Sequence, residues 1–119
     1  MFSWTTLAAI YGLLAVVAGA FGAHGLRGRI TPEMLSAWET AASYHLLHSG
    51  VLLALALYAS ATGRAVTLPA ALIAAGVLLF SGSIYLLATT SQTWLGPVTP
   101  IGGTLLIAGW GSMLVLARS

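Results

Sequence analysis

GAFGAHGLRGR, residues 19–29, closes an uncharged apolar run that begins at Phe2. Its four glycines stand three apart (Gly19, Gly22, Gly25, Gly28), His24 lies between the second and third, and Arg27 and Arg29 follow at once. The run from Phe2 to Ala23 reaches the roughly 20 mostly apolar residues that a helix needs to span a bilayer. The arginines mark where the chain leaves hydrocarbon. The polar stretch LRGRITPEMLSAWET, residues 26–40, contains Arg27, Arg29, Glu33 and Glu39, and the only other charges are Arg64 and Arg118. Charged residues make up 5% of the 119. A soluble domain, which must wet its whole surface, carries about 25%. Lipid must therefore be the solvent of this chain.

Several classes of function fall away with that reading. The net charge of +2 rests on four arginines with no lysine and no basic run, which is no footprint for a nucleic-acid partner. The absence of cysteine removes disulfides, thiolate metal sites and cysteine nucleophiles together, and leaves the redox compartment open. Ala18-Gly19-Ala20 has the small residues of a signal-peptide cleavage site. The apolar run before it, however, lacks a basic leader and exceeds the usual core length of roughly 7–15 residues, so it is expected to stay as a helix.

Working outward, four spans are expected, at residues 2–24, 32–62, 66–90 and 99–117, with the second the longest. Thr31-Pro32-Glu33 reads as a helix start, with Thr31 as N-cap, Pro32 in the first position and Glu33 near the positive end of the helix dipole. Thr99-Pro100 reads as a second such start. Gly25 and Gly28 are expected to end the first helix, because the position after a helix favours residues that accept positive φ. Trp94 lies in the third connection, and with Trp4, Trp38 and Trp110 it suits the interfacial belt that amphipathic rings prefer. The expected fold is an all-α integral membrane protein: one domain over residues 1–119, a four-transmembrane-helix bundle with short loops. Arg64 and Arg118 fall on one side of the membrane and Arg27 and Arg29 on the other, a tied count that the N-terminal amine tips towards both termini being cytoplasmic.

The glycines and the polar side chains are distributed unevenly. Gly19 and Gly22 pair with Ala15 and Ala18 as small residues four apart, the pattern that lets helices approach closely in lipid, and Gly102, Gly103, Gly109 and Gly111 are expected to serve helix four in the same way. His24, Glu39, His45, His48, Ser81, Ser83, Tyr85, Thr99 and Thr104 all belong to the membrane half that faces the 1–2 and 3–4 loops. The opposite half offers Thr5, Thr6, Ser60, Thr67 and Ser112. His45 and His48, three apart, project within about 60° of each other on one helix. Ionisable groups in a membrane usually face the bundle interior with a partner. The expectation is therefore one polar cluster of His24, Glu39, His45, His48, Ser81 and Tyr85, with Glu39 near His24 or His45, and His48 bonded to Tyr85 or Ser81.

Four stretches in order, GAFGAHG (19–25), YHLLHSGVLLALAL (44–57), LFSGSIYLLA (79–88) and VTPIGGTLLIAGW (98–110), closely resemble a family of small four-helix membrane proteins without established function, the family that includes the bacterial inner-membrane proteins YgdD and YwdK. The resemblance covers nearly the whole chain. It implies a bacterial inner-membrane location. It matches His24 to the family's GAHG histidine and His48 to its histidine before a small hydroxyl residue. Ser81, Gly82, Ser83 and Tyr85 fall on its FSGS-x-Y element, and Pro100, Gly102, Gly103, Gly109 and Trp110 on its P-x-GG…GW element. It supplies no activity.

Three functional readings follow from the residues. Glycine-dense helix faces with no substantial soluble part point to a structural or accessory protein that self-associates or joins a larger membrane complex. The one-sided polar cluster centred on His24, His45 and His48 points instead to a binder or carrier of a small ligand, ion or proton. Catalysis is the weakest reading, since no G-x-S-x-G, H-E-x-x-H or paired acidic motif is present and no catalytic residue is assigned. A zinc site needs three or four ligands, which His24, Glu39, His45 and His48 would supply only if folding brought all of them together, so no metal or cofactor is expected.

Overall fold

The computed structural model of the protein describes residues 3–118. Helix α1 covers Trp4–His24, α2 Pro32–Thr62, α3 Thr67–Thr90 and α4 Val98–Ser112, with single 3-10 turns at Thr93–Leu95 and Met113–Val115. Phe2, the expected start of the first span, lies outside the described residues. No strand occurs among the described residues. All four helices, α4 taken with its flanking 3-10 turns, are long and apolar enough to cross a membrane. At 1.5 Å per residue the 31 residues of α2 extend about 46 Å, well beyond a hydrocarbon core of about 30 Å, so its polar first turns project out of the core.

The helix ends follow local chemistry. Ser3 Oγ accepts the Thr6 N–H at 3.1 Å and Thr31 Oγ1 accepts that of Met34 at 3.2 Å, each satisfying one of the amides a helix start leaves free. Gly63 closes α2 in the left-handed region at φ 74°. At the end of α1, Gly25 keeps a right-handed φ of −93° and Gly28 takes the positive value of 82°. Helix α4 starts two residues earlier than Thr99-Pro100 suggests, with Val98 first and Pro97 as its cap. Pro100 then falls in the first turn, where a missing N–H has no intrahelical partner to lose. Thr99 bonds Ser83 of α3 through their hydroxyls and so joins the two helices. At its other end α4 relaxes into a 3-10 turn after Ser112, short of the expected Ala117. Arg64, from the α2–α3 loop, donates to Leu116 O at 2.7 Å, to Val115 O at 3.3 Å and to Tyr58 Oη at 2.7 Å. A cation thus satisfies the carbonyls at the negative end of the last helix.

α1 packs on α2, α2 on α3, and α3 on α4. In the apolar stretches of α2 and α3, 44% of residues are buried, against 17% in those of α1 and α4, so α2 and α3 form the centre and the other two flank it. Leu52, Leu55, Val66, Ala70, Ile73 and Leu106 are among the residues that fill the core. Close approach depends on particular glycines. A Cβ at Gly102 would run into the backbone of Phe80, one at Gly109 would lie 2.8 Å from Ile73 Cδ1, and one at Gly76 would meet Leu106 Cδ2 at 2.7 Å. Gly22 is covered by the Trp38 indole. Three expected packing glycines behave differently. Gly19 and Gly111 have open space where a side chain would stand, and a Cβ at Gly103 would make only an ordinary 3.7 Å contact with Phe80. Spacing alone does not say which face of a helix meets its neighbour.

Candidate functional site

Both histidines of α2 are buried, His45 at 7% exposure and His48 at 3%. The rotation of about 60° between positions three apart sends them to opposite sides of the α2–α3 pair. His48 faces α4. Its Nδ1 lies 2.7 Å from Tyr44 O, and since a carbonyl can only accept, Nδ1 carries the hydrogen. Its Nε2 then accepts the indole N–H of Trp110 at 3.1 Å. Both ring nitrogens are engaged, and a second hydrogen at Nε2 would set two N–H groups face to face. The expected partners Tyr85 and Ser81 lie on the other side. A cavity of about 620 Å³ flanks this pair between α2, α3 and α4, lined in part by Phe80, Gly103 and Ile107.

His45 faces α1. Its Nδ1 stands 3.0 Å from Tyr85 Oη of α3, and the Tyr11 ring of α1 meets it edge-on at 5.8 Å. Tyr11 itself donates to Ala74 O of α3 at 2.8 Å, tying the first helix to the third. The Tyr11 backbone on α1 is a further hydrogen-bonding neighbour of the His45 imidazole. No fully enclosed side-chain polar atom is left unpaired among the described residues, and a cavity of about 370 Å³ between α1, α2 and α3 borders the pair. Ser81, on the same wall, donates to Ala41 O at 2.8 Å and so fastens α3 to α2.

The remaining two members of the expected cluster lie elsewhere. His24 is exposed at the end of α1, and Glu39 is exposed on the outer face of α2 beside Gly19 and Ser43. Trp38 explains both. Its indole donates to Ala18 O at 2.7 Å and its ring packs on Tyr85 at 4.5 Å, which fills the space where His24 and Glu39 could have met the histidines. Consecutive helix residues point about 100° apart, so turning Trp38 inward turns Glu39 outward. Trp38, 5% exposed, is thus an internal hydrogen-bond donor, whereas Trp110 donates inward to His48 while its ring stays 49% exposed and Trp94 is 64% exposed. No three His, Asp or Glu side chains converge among the described residues, so no metal-binding set is assembled there.

Sequence reasoning missed Tyr11, Trp38 and Trp110 as parts of the site. A signal existed for two of them. Tyrosine and tryptophan prefer the membrane interface, so Tyr11 in the middle of an uncharged run, and Trp110 late in another, call for an internal partner.

A family model described as a protein of unknown function (DUF423) matches residues 18–103. The UPF0382 membrane protein SAB0533 of Staphylococcus aureus (strain bovine RF122 / ET3-1) is 45% identical over 111 residues, covering 93% of this chain and 90% of the relative. The UPF0382 membrane protein YwdK of Bacillus subtilis (strain 168) is 45% identical over 113 residues, covering 93% and 92%. No solved structure gives a significant match.

Proposed function

The chain belongs to the DUF423 family of integral membrane proteins, and from that premise we propose that it is an accessory membrane protein that self-associates or joins a larger membrane complex. The observation that carries this reading is Glu39. Its neighbour Trp38 reaches Ala18 O, which places Glu39 six residues, or about 9 Å, before the end of α1 at His24. It is exposed there, with no hydrogen bond to another described side chain. An exposed carboxylate in the outer turns of α2, where the helix leaves the hydrocarbon core, is available to a polar group of a neighbouring chain. Around it the α1–α2 seam is lined by small residues: Ala15, Gly19 and Ser43 beside Glu39, then Ala9, Gly12 and Gly50 further along. Gly19 and Gly50 have open space where a side chain would stand. Helices associate in lipid by close backbone approach at such residues, with polar groups adding hydrogen bonds across the contact.

Native mass spectrometry of the full chain in lipid nanodiscs tests the proposal. Oligomers, or a co-purified membrane subunit, are expected for the unaltered protein and are lost in Gly19→Ile and Glu39→Ala. Monomers alone, with no partner, would count decisively against it.

A further inference from the structure

We infer that the partner at the α1–α2 seam is a second copy of this chain, lying parallel to the first about a two-fold axis along the membrane normal, with Glu39 of each copy paired to Arg27 of the other. The inference rests on the self-association proposed above and names the contact that holds it.

Charge complementarity carries it. Glu39 is exposed on the outer side of α2, bordering the same hollow as Gly19 of α1. In a helix the Cα–Cβ bonds tilt towards the N-terminus, so the Glu39 carboxylate leans towards the 1–2 loop, where α2 begins. Arg27 stands in that loop. It is exposed, and its one hydrogen bond among the described residues runs from Nε to Ala23 O at 3.5 Å. Ala23 follows Gly19 by four residues and shares its face of α1. The Arg27 side chain therefore lies about one turn, roughly 6 Å, beyond the glycine that borders Glu39. No hydrogen bond joins Glu39 to Arg27 within one chain among the described residues. The other nearby cations are less well placed. Arg29 borders a separate hollow with Leu87 and Ser91 at the end of α3, and His24 is turned about 100° from Ala23 around α1.

A face that carries an anion and a cation at nearly the same depth is self-complementary, as a two-fold contact requires. Rotation about the membrane normal preserves depth and brings each Glu39 opposite the other copy's Arg27, so the pair forms twice. A copy inserted upside down would leave the charges on opposite sides of the bilayer. The backbones permit the approach. The hollow beside Gly19 and the one beside Gly12 and Gly50 are both lined by Leu46, so they run together along the seam. A Cβ at Gly19 or Gly50 would meet nothing within 4 Å. The apolar stretch of α1 is only 17% buried, which leaves its outer face uncovered within one copy. An acyl chain filling the same groove would answer neither charge.

Native mass spectrometry of the full chain in lipid nanodiscs reads the pairing through charge reversal. The unaltered chain is expected as dimers. Glu39→Arg alone and Arg27→Glu alone each set two like pairs face to face and should weaken the dimer at least about tenfold, the loss of two exposed ion pairs. Reconstituted together, the two variants should form a mixed dimer at the parent level, because both contacts then join opposite charges. Cross-linking gives a reading that does not depend on either reversal folding. The chain has no cysteine, so a short bis-maleimide should link copies of Ala23→Cys, beside the axis, and should leave Ile107→Cys, on the outside of α4, unlinked. Dimers that survive both reversals unchanged would overturn the pairing and leave self-association standing. Reversals that dissociate the dimer without rescue by mixing would also overturn it, since the two charges would then act within one chain. So would equal cross-linking at Ala23 and Ile107. Monomers alone for the unaltered chain would remove both the pairing and the reading beneath it.

Discussion

The two sides of the central α2–α3 pair put the same side chain to different uses. On the α4 side, His48 has both ring nitrogens engaged by protein groups, one by a carbonyl on its own helix and one by the Trp110 indole. On the α1 side, the His45 ring is held by Tyr85 and borders a cavity that opens to lipid. The difference lies in how closely the flanking helix approaches. Gly102, Gly109 and Gly76 bring α3 and α4 within backbone contact, and that proximity delivers Trp110 to His48. Helix α1 is held off by the larger rings of Tyr11 and Trp38, which bridge to Ala74 and Ala18 and leave space between. The His48 side is closed by protein groups, and the His45 side borders lipid.

The largest expected effect falls on the close-packed side. Gly102→Leu drives a side chain into the Phe80 backbone and should destabilise the bundle by about 3 kcal/mol, at the upper end of overpacking costs. Gly19→Leu, at a position with open space, should stay within about 0.5 kcal/mol of the parent. Unfolding by sodium dodecyl sulfate in mixed micelles, followed by circular dichroism, measures both, and equal losses would erase the distinction between the two glycine faces.

Removing hydrogen-bond partners sharpens the comparison further. Trp110→Phe leaves the buried Nε2 of His48 without a donor and should cost about 1–3 kcal/mol. Tyr85→Phe removes one interhelical bond beside an open cavity and should cost about 0.6 kcal/mol, the average for such bonds in membranes. If the same unfolding assay ranks them the other way, His45 is the structural histidine.

The far end of α4 gives a third check. Arg64 closes the carbonyls of Val115 and Leu116, so Arg64→Ala should cost about 1 kcal/mol by loss of a cation at a helix C-terminus. The same assay in high salt should leave most of that loss in place if direct hydrogen bonds dominate, and should remove it if the contact is only a screened attraction.

The fold was legible in the sequence because lipid imposes a coarse rule: about 20 apolar residues for each crossing, broken at Arg27, Arg64 and Gly96-Pro97. The Thr31-Pro32 start was equally readable, since its capping is local. The candidate site was legible only in part. His45, His48, Ser81 and Tyr85 do come to the centre, but pairing depends on rotation about each helix axis, and a uniformly apolar helix carries little record of that rotation. Trp38 shows the consequence. Read as an interfacial ring, it turns inward instead, and in doing so excludes His24 and Glu39 from the site. Gly76, unremarked in an apolar run, proves as tightly packed as Gly109, because the signal for close contact lies on the opposite helix at Leu106.

The contrast between the histidines can be read directly from nitrogen-15 spectra of histidine-labelled protein in nanodiscs, for the unaltered chain, Trp110→Phe and Tyr85→Phe. His48 is expected to show the Nδ1–H tautomer, with signals that move in Trp110→Phe and stay in place in Tyr85→Phe. The signals of His45 are expected to do the reverse. A His48 carrying its hydrogen on Nε2, or shifts shared equally by both rings in either variant, would contradict the separation of the two histidines onto opposite sides.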